Sequence, residues 1–206
     1  MERPRLTTAT VIAEAAKLAD EAGFDALSLS SVARRLGVKA PSLYSHVRDL
    51  EAVQDGITSL ALAELAARVS ADVAGRSGRA ALWAYADALR AYSRDSPGRW
   101  EALQRRAGTP AVDSAAAESF VAVTDAVLRA YRLSLVDRVH ATRLLGSMIN
   151  GFVALERIGS FDHREPEPEA SWAIALDALD ALFTTWPAVP VDDDLTEGTP
   201  PHDTSH

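Results

Sequence analysis

The sequence predicts an all-α fold in which a small N-terminal helix-turn-helix unit is joined by a long helix to a larger helical domain, and three observations carry that prediction. Apolar residues return at three- and four-residue intervals along most of the 206 residues, the period of one helix face. Residues suited to helix N-caps stand where these stripes begin, and glycines or prolines where they stop. No β-rich run of alternating apolar and polar residues appears anywhere.

Thr7 or Thr8 can cap a first helix, Thr8 to Ala22, whose Val11, Ala15, Leu18 and Ala22 share one face and whose end is marked by Gly23. Phe24 and Leu27 lead to Ser30, a second candidate cap. The short helix after it turns Val32, Ala33 and Leu36 toward the same core and ends at Gly37. Only Gly37 and Val38, with or without Lys39, separate it from a third helix, which has Pro41 in its first turn, where a missing N–H costs nothing. Two short helices joined so tightly must cross steeply. Leu43 and Val47 hold the third helix down, one turn apart, which leaves Pro41, Ser45 and Arg48 facing the other way, flanked by Ser42 and Tyr44.

Asp49 caps a long connector, Leu50 to about Val73, carrying Val53, Ile57, Leu60, Leu65 and Val69. Gly75-Arg76-Ser77-Gly78 breaks it, and Ser77 opens a helix with the stripe Leu82, Tyr85, Leu89 and Tyr92. Ser96-Pro97 begins a short helix bearing Trp100 and Leu103. Past a break at Gly108-Thr109-Pro110 come a helix with Phe120, Val123, Val127 and Tyr131 and a longer one that Ser134 can cap. The last two helices differ in spacing. Leu145, Met148, Phe152 and Leu155, then Trp172, Leu176, Leu179, Phe183 and Trp186, alternate by three and four, as in a coiled-coil-like seam. Pro187 to His206 holds four prolines, five acids and no Lys or Arg, which predicts a flexible acidic tail. The domains expected are therefore 1–50, a connector over about 50–73, 76–186, and the tail 187–206.

Hydrophobic residues make up 48% and charged residues 24% of the chain, which excludes a mostly disordered protein. There is no cysteine, so disulfides, thiolate metal sites and cysteine nucleophiles are excluded together. The N-terminus lacks the apolar core of a signal peptide and no segment reaches a membrane span of about 18 apolar residues, so a cytoplasmic location with no membrane partner is expected. The net charge of −8 argues against nucleic acid until its distribution is examined. Residues 1–50 carry seven Lys/Arg against six Asp/Glu, and the remainder 14 against 23. Between Ala26 and Arg48 stand Arg34, Arg35, Lys39 and Arg48 with no acid at all.

Val11-Ile12, Ala15-Ala16, Glu21-x-Gly23, Leu27, Val32-Ala33, Leu36-Gly37-Val38, Ser42-Leu43-Tyr44 and His46-Val47 together resemble the TetR-family repressor signature over roughly residues 6 to 60. The resemblance implies a one-component regulator, a repressor, that binds a palindromic DNA operator as a homodimer and is released by a small-molecule effector. It also places Ser28, Ser30, Ala40, Pro41, Ser42, Tyr44, Ser45 and His46 at the DNA-facing positions. The physics agrees, since a major groove about 12 Å wide admits one helix, whose N-terminal half meets base edges while its neighbours grip phosphates. Lys39 is the natural donor to guanine or phosphate, and Arg48 a further phosphate contact. The family commonly has a Lys at the start of the fourth helix where this chain has Leu50, a loss that Arg48, Arg3 and Arg5 can offset.

The spacing around Asn150-Gly151-Phe152 and Leu155-Glu156-x-x-Gly159-x-Phe161 is similar to the C-terminal domain of one TetR-family subgroup, the WHG type. Gly146 and Gly151 inside a helix predict close helix approach, most simply at a dimer interface formed by Leu145, Met148, Phe152, Leu155, Trp172, Leu176, Leu179 and Phe183. A pocket among helices is expected from Trp83, Trp100, Phe120, Tyr131, His140, Arg143 and Asn150, with His140 and Asn150 foremost because polar groups among apolar neighbours need partners. No cofactor is implied. Catalysis is not expected either, because no Gly-x-Ser-x-Gly, phosphate-cradling loop or His-Glu-x-x-His is present. A helical adaptor binding only protein would explain the seam but not the acid-free basic stretch.

Overall fold

The computed structural model describes residues 6–105 and 114–187. The expectations for Arg3 and Arg5, for the Gly108-Thr109-Pro110 break and for the tail after Pro187 lie outside them. Eight α-helices and no strand occur among the described residues: α1 (Thr8–Ala22), α2 (Leu29–Leu36), α3 (Leu50–Val73), α4 (Gly78–Asp95), α5 (Pro97–Gln104), α6 (Ala115–Leu128), α7 (Leu135–Arg157) and α8 (Pro168–Thr184). A 3-10 turn, Ala40–Leu43, stands between α2 and α3.

The boundaries follow from local chemistry. Thr7 accepts a hydrogen bond from the Thr10 N–H, and Gly23 ends α1 with its N–H donating to the Ala19 carbonyl. Asp49 accepts from the Ala52 N–H at the start of α3. The cap of α2 is Ser28 rather than Ser30. Ser28 and Ser31 form a reciprocal capping box, possible because Ser28 already has extended backbone, while Ser30 falls in the first helical turn. Gly37 then takes a left-handed φ of 67°, a conformation that costs glycine little. The third helix differs from its expected form as well. Extended Lys39 and Pro41 start a tight 3-10 turn instead of an α-helix, and bonds from the His46 and Val47 N–H groups to the Leu43 carbonyl carry the curl on to Val47.

Packing divides into two cores. Val11, Ala15 and Ala19 of α1, Val32 and Ala33 of α2, Leu43, Val47, and Val53 and Ile57 of α3 close a small N-terminal core. Ala61, Leu65 and Val69, further along α3, join the body core with α4, α6, α7 and α8. One continuous helix therefore belongs to both. The short α5 does the same, with Ala102 in the first core and Trp100 in the second.

The seam expected on the last two helices is the body's own core. Leu145, Trp172, Leu176, Leu179 and Phe183 are each 6% exposed or less within the single chain, and the Phe152 ring lies 5.0 Å from that of Trp172. A stripe spaced by three and four faces whatever the helix packs on, and here that is α4 and the neighbouring helix. Of the eight residues, Leu155 is exposed and Met148 is half-buried. Gly146 and Gly151 have open space where a side chain would stand, so within one chain neither marks a close helix contact.

Candidate nucleic-acid interface and effector cavity

The segment after α2 is anchored from below and bare above. Leu43 and Val47 are buried in the N-terminal core, and Thr8 Oγ1 donates to the His46 carbonyl at 2.9 Å, tying the end of the segment to the start of α1. Lys39, Pro41, Ser42, Tyr44 and Ser45 are exposed, Tyr44 to 60%, whereas the chain's other three tyrosines, all in the body, are buried. Ala40 and His46 are half-buried at its edges. The geometry brings together most of the expected reading face, Lys39 to Ser45. Ser28 and Ser30 stand at the N-terminus of α2, where Ser30 is exposed and the Ser28 hydroxyl is already bonded to Ser31.

The cationic stretch is smaller than it reads. Arg35 donates from Nε to Glu14 at 3.0 Å and grips Glu21 with both terminal nitrogens at 2.6 and 2.8 Å. Its charge pins α2 across α1, and the bonds from Lys17 and then Arg35 hold the Glu14 carboxyl below its usual range. Arg48 projects into solvent, with a side chain 80% exposed, but its Nε bonds Asp49 at 2.6 Å. Arg34 and Lys39 have no ion-pair partner among the described residues. Leu50 is half-buried and packs against the N-terminal core, so its side chain contributes packing where a lysine would contribute charge.

In the body, a cavity of about 490 Å³ opens between α3, α4, α5, α6 and α7. Trp100, Phe120, Arg143 and Asn150 line it as expected. Trp83, Tyr131 and His140 do not. Trp83 lies under the Arg79 guanidinium at 4.7 Å, the Tyr131 hydroxyl donates to Asp180 from within the core, and His140 is exposed on the outer side of α7. Period alone could not tell which side of α7 faces inward. Tyr85, Gln104, Thr124, Asp125, Arg138 and Thr142 complete the polar lining and were not expected. The Tyr85 hydroxyl bonds Thr124 at 3.0 Å, and burial pushes its phenol up to about 12.

Helix α5 touches both regions. Trp100, Leu103 and Gln104 face the cavity, while its other side clasps α1 and the turn beyond it. Arg99 bonds Asp20 through its N–H at 2.9 Å and Nε at 2.8 Å, and the Glu101 carboxylate accepts the Phe24 N–H at 3.1 Å. Arg99 also bonds Glu64 at 2.7 Å, which in turn accepts from the Tyr92 hydroxyl. A polar chain therefore runs from α4 through α3 and α5 to α1.

Comparison with known proteins agrees with this arrangement. Residues 11–49 match the family described as bacterial regulatory proteins, tetR family, and residues 82–179 match the tetracyclin repressor-like C-terminal domain. An uncharacterized HTH-type transcriptional regulator of Mycobacterium tuberculosis is 31% identical over 160 residues, covering 77% of this chain and 73% of the relative. Another such regulator from Bacillus subtilis, YobS, is 27% identical, over 78% of this chain and 84% of the relative. Among solved structures, a TetR variant from Acinetobacter baumannii in complex with minocycline superposes with a TM-score of 0.67 at 24% identity, over 88% of this chain and 98% of that one. A Rhodococcus protein of unknown function gives 0.69 at 19% identity, over 87% and 98%.

Proposed function

We propose that this chain, which belongs to the TetR family of bacterial transcriptional regulators, works as a homodimeric repressor that sits on a palindromic operator and is released when a small molecule enters the body cavity. The DNA-binding function belongs to the family. The finer reading rests above all on one observation, the bare face Lys39 to Ser45 over the buried anchors Leu43 and Val47. An element so anchored can enter a major groove without unfolding anything. In this division residues 1–50 read DNA and 76–186 bind effector and partner.

The repressor dimer is supported by the outer faces of α7 and α8. Leu144, Ser147, Gly151, Ala154, Leu155 and Ile158 form one exposed stripe, and Ile174, Ala178, Ala181 and Leu182 another, neither with a charged side chain. Small residues on such stripes allow a second copy to approach, and the open space at Gly151 is then filled by the partner. Light scattering is expected to return twice the 22.0 kDa chain mass at micromolar concentration, and Ile174→Glu to return a single chain mass. A wild-type particle of 22.0 kDa would remove the dimer from the account.

Two heads in a symmetric dimer then meet successive major grooves about 34–36 Å apart. Lys39→Ala is expected to weaken binding uniformly across DNA sequences and to lower the slope of log affinity against log salt by about 1. An unchanged slope would mean that Lys39 stands away from the phosphates. Release by ligand is supported by α5, which lines the cavity on one side and holds α1 on the other.

A further inference from the structure

The cavity's charged groups do not cancel. Its walls are mainly apolar, with Leu65, Leu89, Trp100, Leu103 and Phe120 among them, and its neutral polar groups are largely engaged with one another: Tyr85 with Thr124, Gln104 with Asn150. Three charged residues remain, Asp125, Arg138 and Arg143. Asp125 is committed to Arg138, whose terminal nitrogen it accepts at 2.8 Å, with Arg129 at 3.8 Å on its other side. Arg143 has no carboxylate partner among the described residues. The Nε of Arg138 is buried and lacks any hydrogen-bond partner there.

A buried N–H without an acceptor is a destabilising feature that a native structure normally relieves, by a water or a ligand. Both arginines stand on α7, five residues apart, which is about 7.5 Å along the axis and about 140° around it, so they border the cavity from the two flanks of the face that α7 turns to it. Long side chains reaching in from the two flanks can meet at one planar acceptor, each presenting guanidinium N–H groups. Arg143 is exposed, so a neutral ligand would leave its charge to solvent alone, whereas a cationic one would add to it. The lining area is otherwise suited to a hydrocarbon or ring body, and the volume falls in the range of about 300–1,000 Å³ common to small-molecule sites.

We infer that the molecule this cavity takes is an apolar monocarboxylate, with its hydrophobic body against Trp100 and Phe120 and its carboxylate between Arg138 and Arg143. The inference rests on the reading of this cavity as the effector site. Arg143 acts as the primary charge partner because nothing else on the protein occupies it, and Asp125 tempers Arg138 so that a single negative charge suffices.

The test uses the full-length protein and three probes that share one body: decanoate, decanol and decylammonium, each below its micelle concentration, titrated by calorimetry and scored for release of promoter DNA. Decanoate is expected to bind about tenfold or more tightly than decanol, as charge-assisted hydrogen bonds imply, and decylammonium more weakly than either. Arg143→Gln should erase most of the preference for the acid while leaving decanol affinity within about twofold, and Asp125→Asn should tighten decanoate further. Equal affinity for acid and alcohol, preference for the ammonium, or an Arg143→Gln variant that weakens all probes alike would overturn the assignment. If decanol binds as well as decanoate and both release DNA, the effector reading stands and the carboxylate assignment falls. If none of the three binds, the effector reading of the cavity falls with it.

Discussion

Replacing Arg90 with alanine is expected to lower the unfolding free energy by about 3–5 kcal/mol, the cost of breaking a buried ion pair from one side. The Arg90 side chain is 4% exposed, yet it carries a full charge between α4 and the last two helices. Its Nε donates to Glu156 at 3.1 Å, its two terminal nitrogens reach Glu156 and Glu169, and its guanidinium lies over Trp172 at 4.9 Å and Phe152 at 5.4 Å. Glu169 is largely in water and loses little. Glu156 is 18% exposed and would keep Arg94 alone. For a chain of this size the loss corresponds to a fall in Tm of roughly 6–20 °C. The double substitution Arg90→Met with Glu156→Leu should recover most of it, because removing both charges also removes their desolvation cost. A single Arg90→Ala variant melting within a degree or two of wild type would show that the pair is not buried in solution.

The same pair ties stability to pH. The hydrogen bonds from Arg90, against the opposing effect of burial, hold the Glu156 carboxyl below its ordinary value of 4.5. A depressed carboxylate pKa contributes stability that is fully present above 4.5 and is lost as pH falls through the lower, folded-state value. Thermal melts between pH 7 and pH 3 should therefore show a loss on the acid side that is smaller in the Arg90→Met, Glu156→Leu protein.

Gly98→Ala is expected to be disruptive as well, with a loss of about 1–3 kcal/mol even though alanine favours helix by about 1 kcal/mol over glycine. A Cβ on Gly98 would overlap the backbone carbonyl of Ala19 and crowd the Asp20 N–H. Those neighbours are main-chain atoms inside α1, so relief requires α1 and α5 to separate. Separation stretches the Arg99–Asp20 and Phe24–Glu101 bonds that join the reading head to the body. The variant should bind promoter DNA more weakly and respond less to any ligand of the cavity. A Gly98→Ala protein that is more stable than wild type, with unchanged DNA affinity, would mean that the two helices do not pack this closely.

Much of this architecture is legible in the sequence because helix ends are local. Thr7, Gly23, Asp49 and Ser134 do their work within four residues, and the boundaries of α1 and α3 come out as the residues predict. What is not legible depends on direction. Spacing by three and four identifies a buried stripe on α7 and α8 but not whether its partner is the same chain or another, so the core residues Trp172, Leu176 and Phe183 looked like an interface. For the same reason His140 looked like pocket while Arg138, two residues earlier, is the one that lines it. Charge counted along the chain also misleads. Arg35 reads as part of a basic patch and is spent on Glu14 and Glu21, and nothing around Arg90 or Gly98 in sequence announces that one is buried and the other abuts a backbone.

DNA binding by the exposed face tests the account most directly. Fluorescence anisotropy of a labelled fragment from the protein's own promoter region, titrated at several salt concentrations, should give saturable binding with a negative salt slope. Binding should weaken at least about tenfold in Tyr44→Ala, a substitution at a 60%-exposed side chain that should leave the melting temperature unchanged. Binding that is insensitive to salt, or a folded Tyr44→Ala with Lys39→Ala double variant that binds like wild type, would contradict the assignment of Lys39 to Ser45 as the reading face.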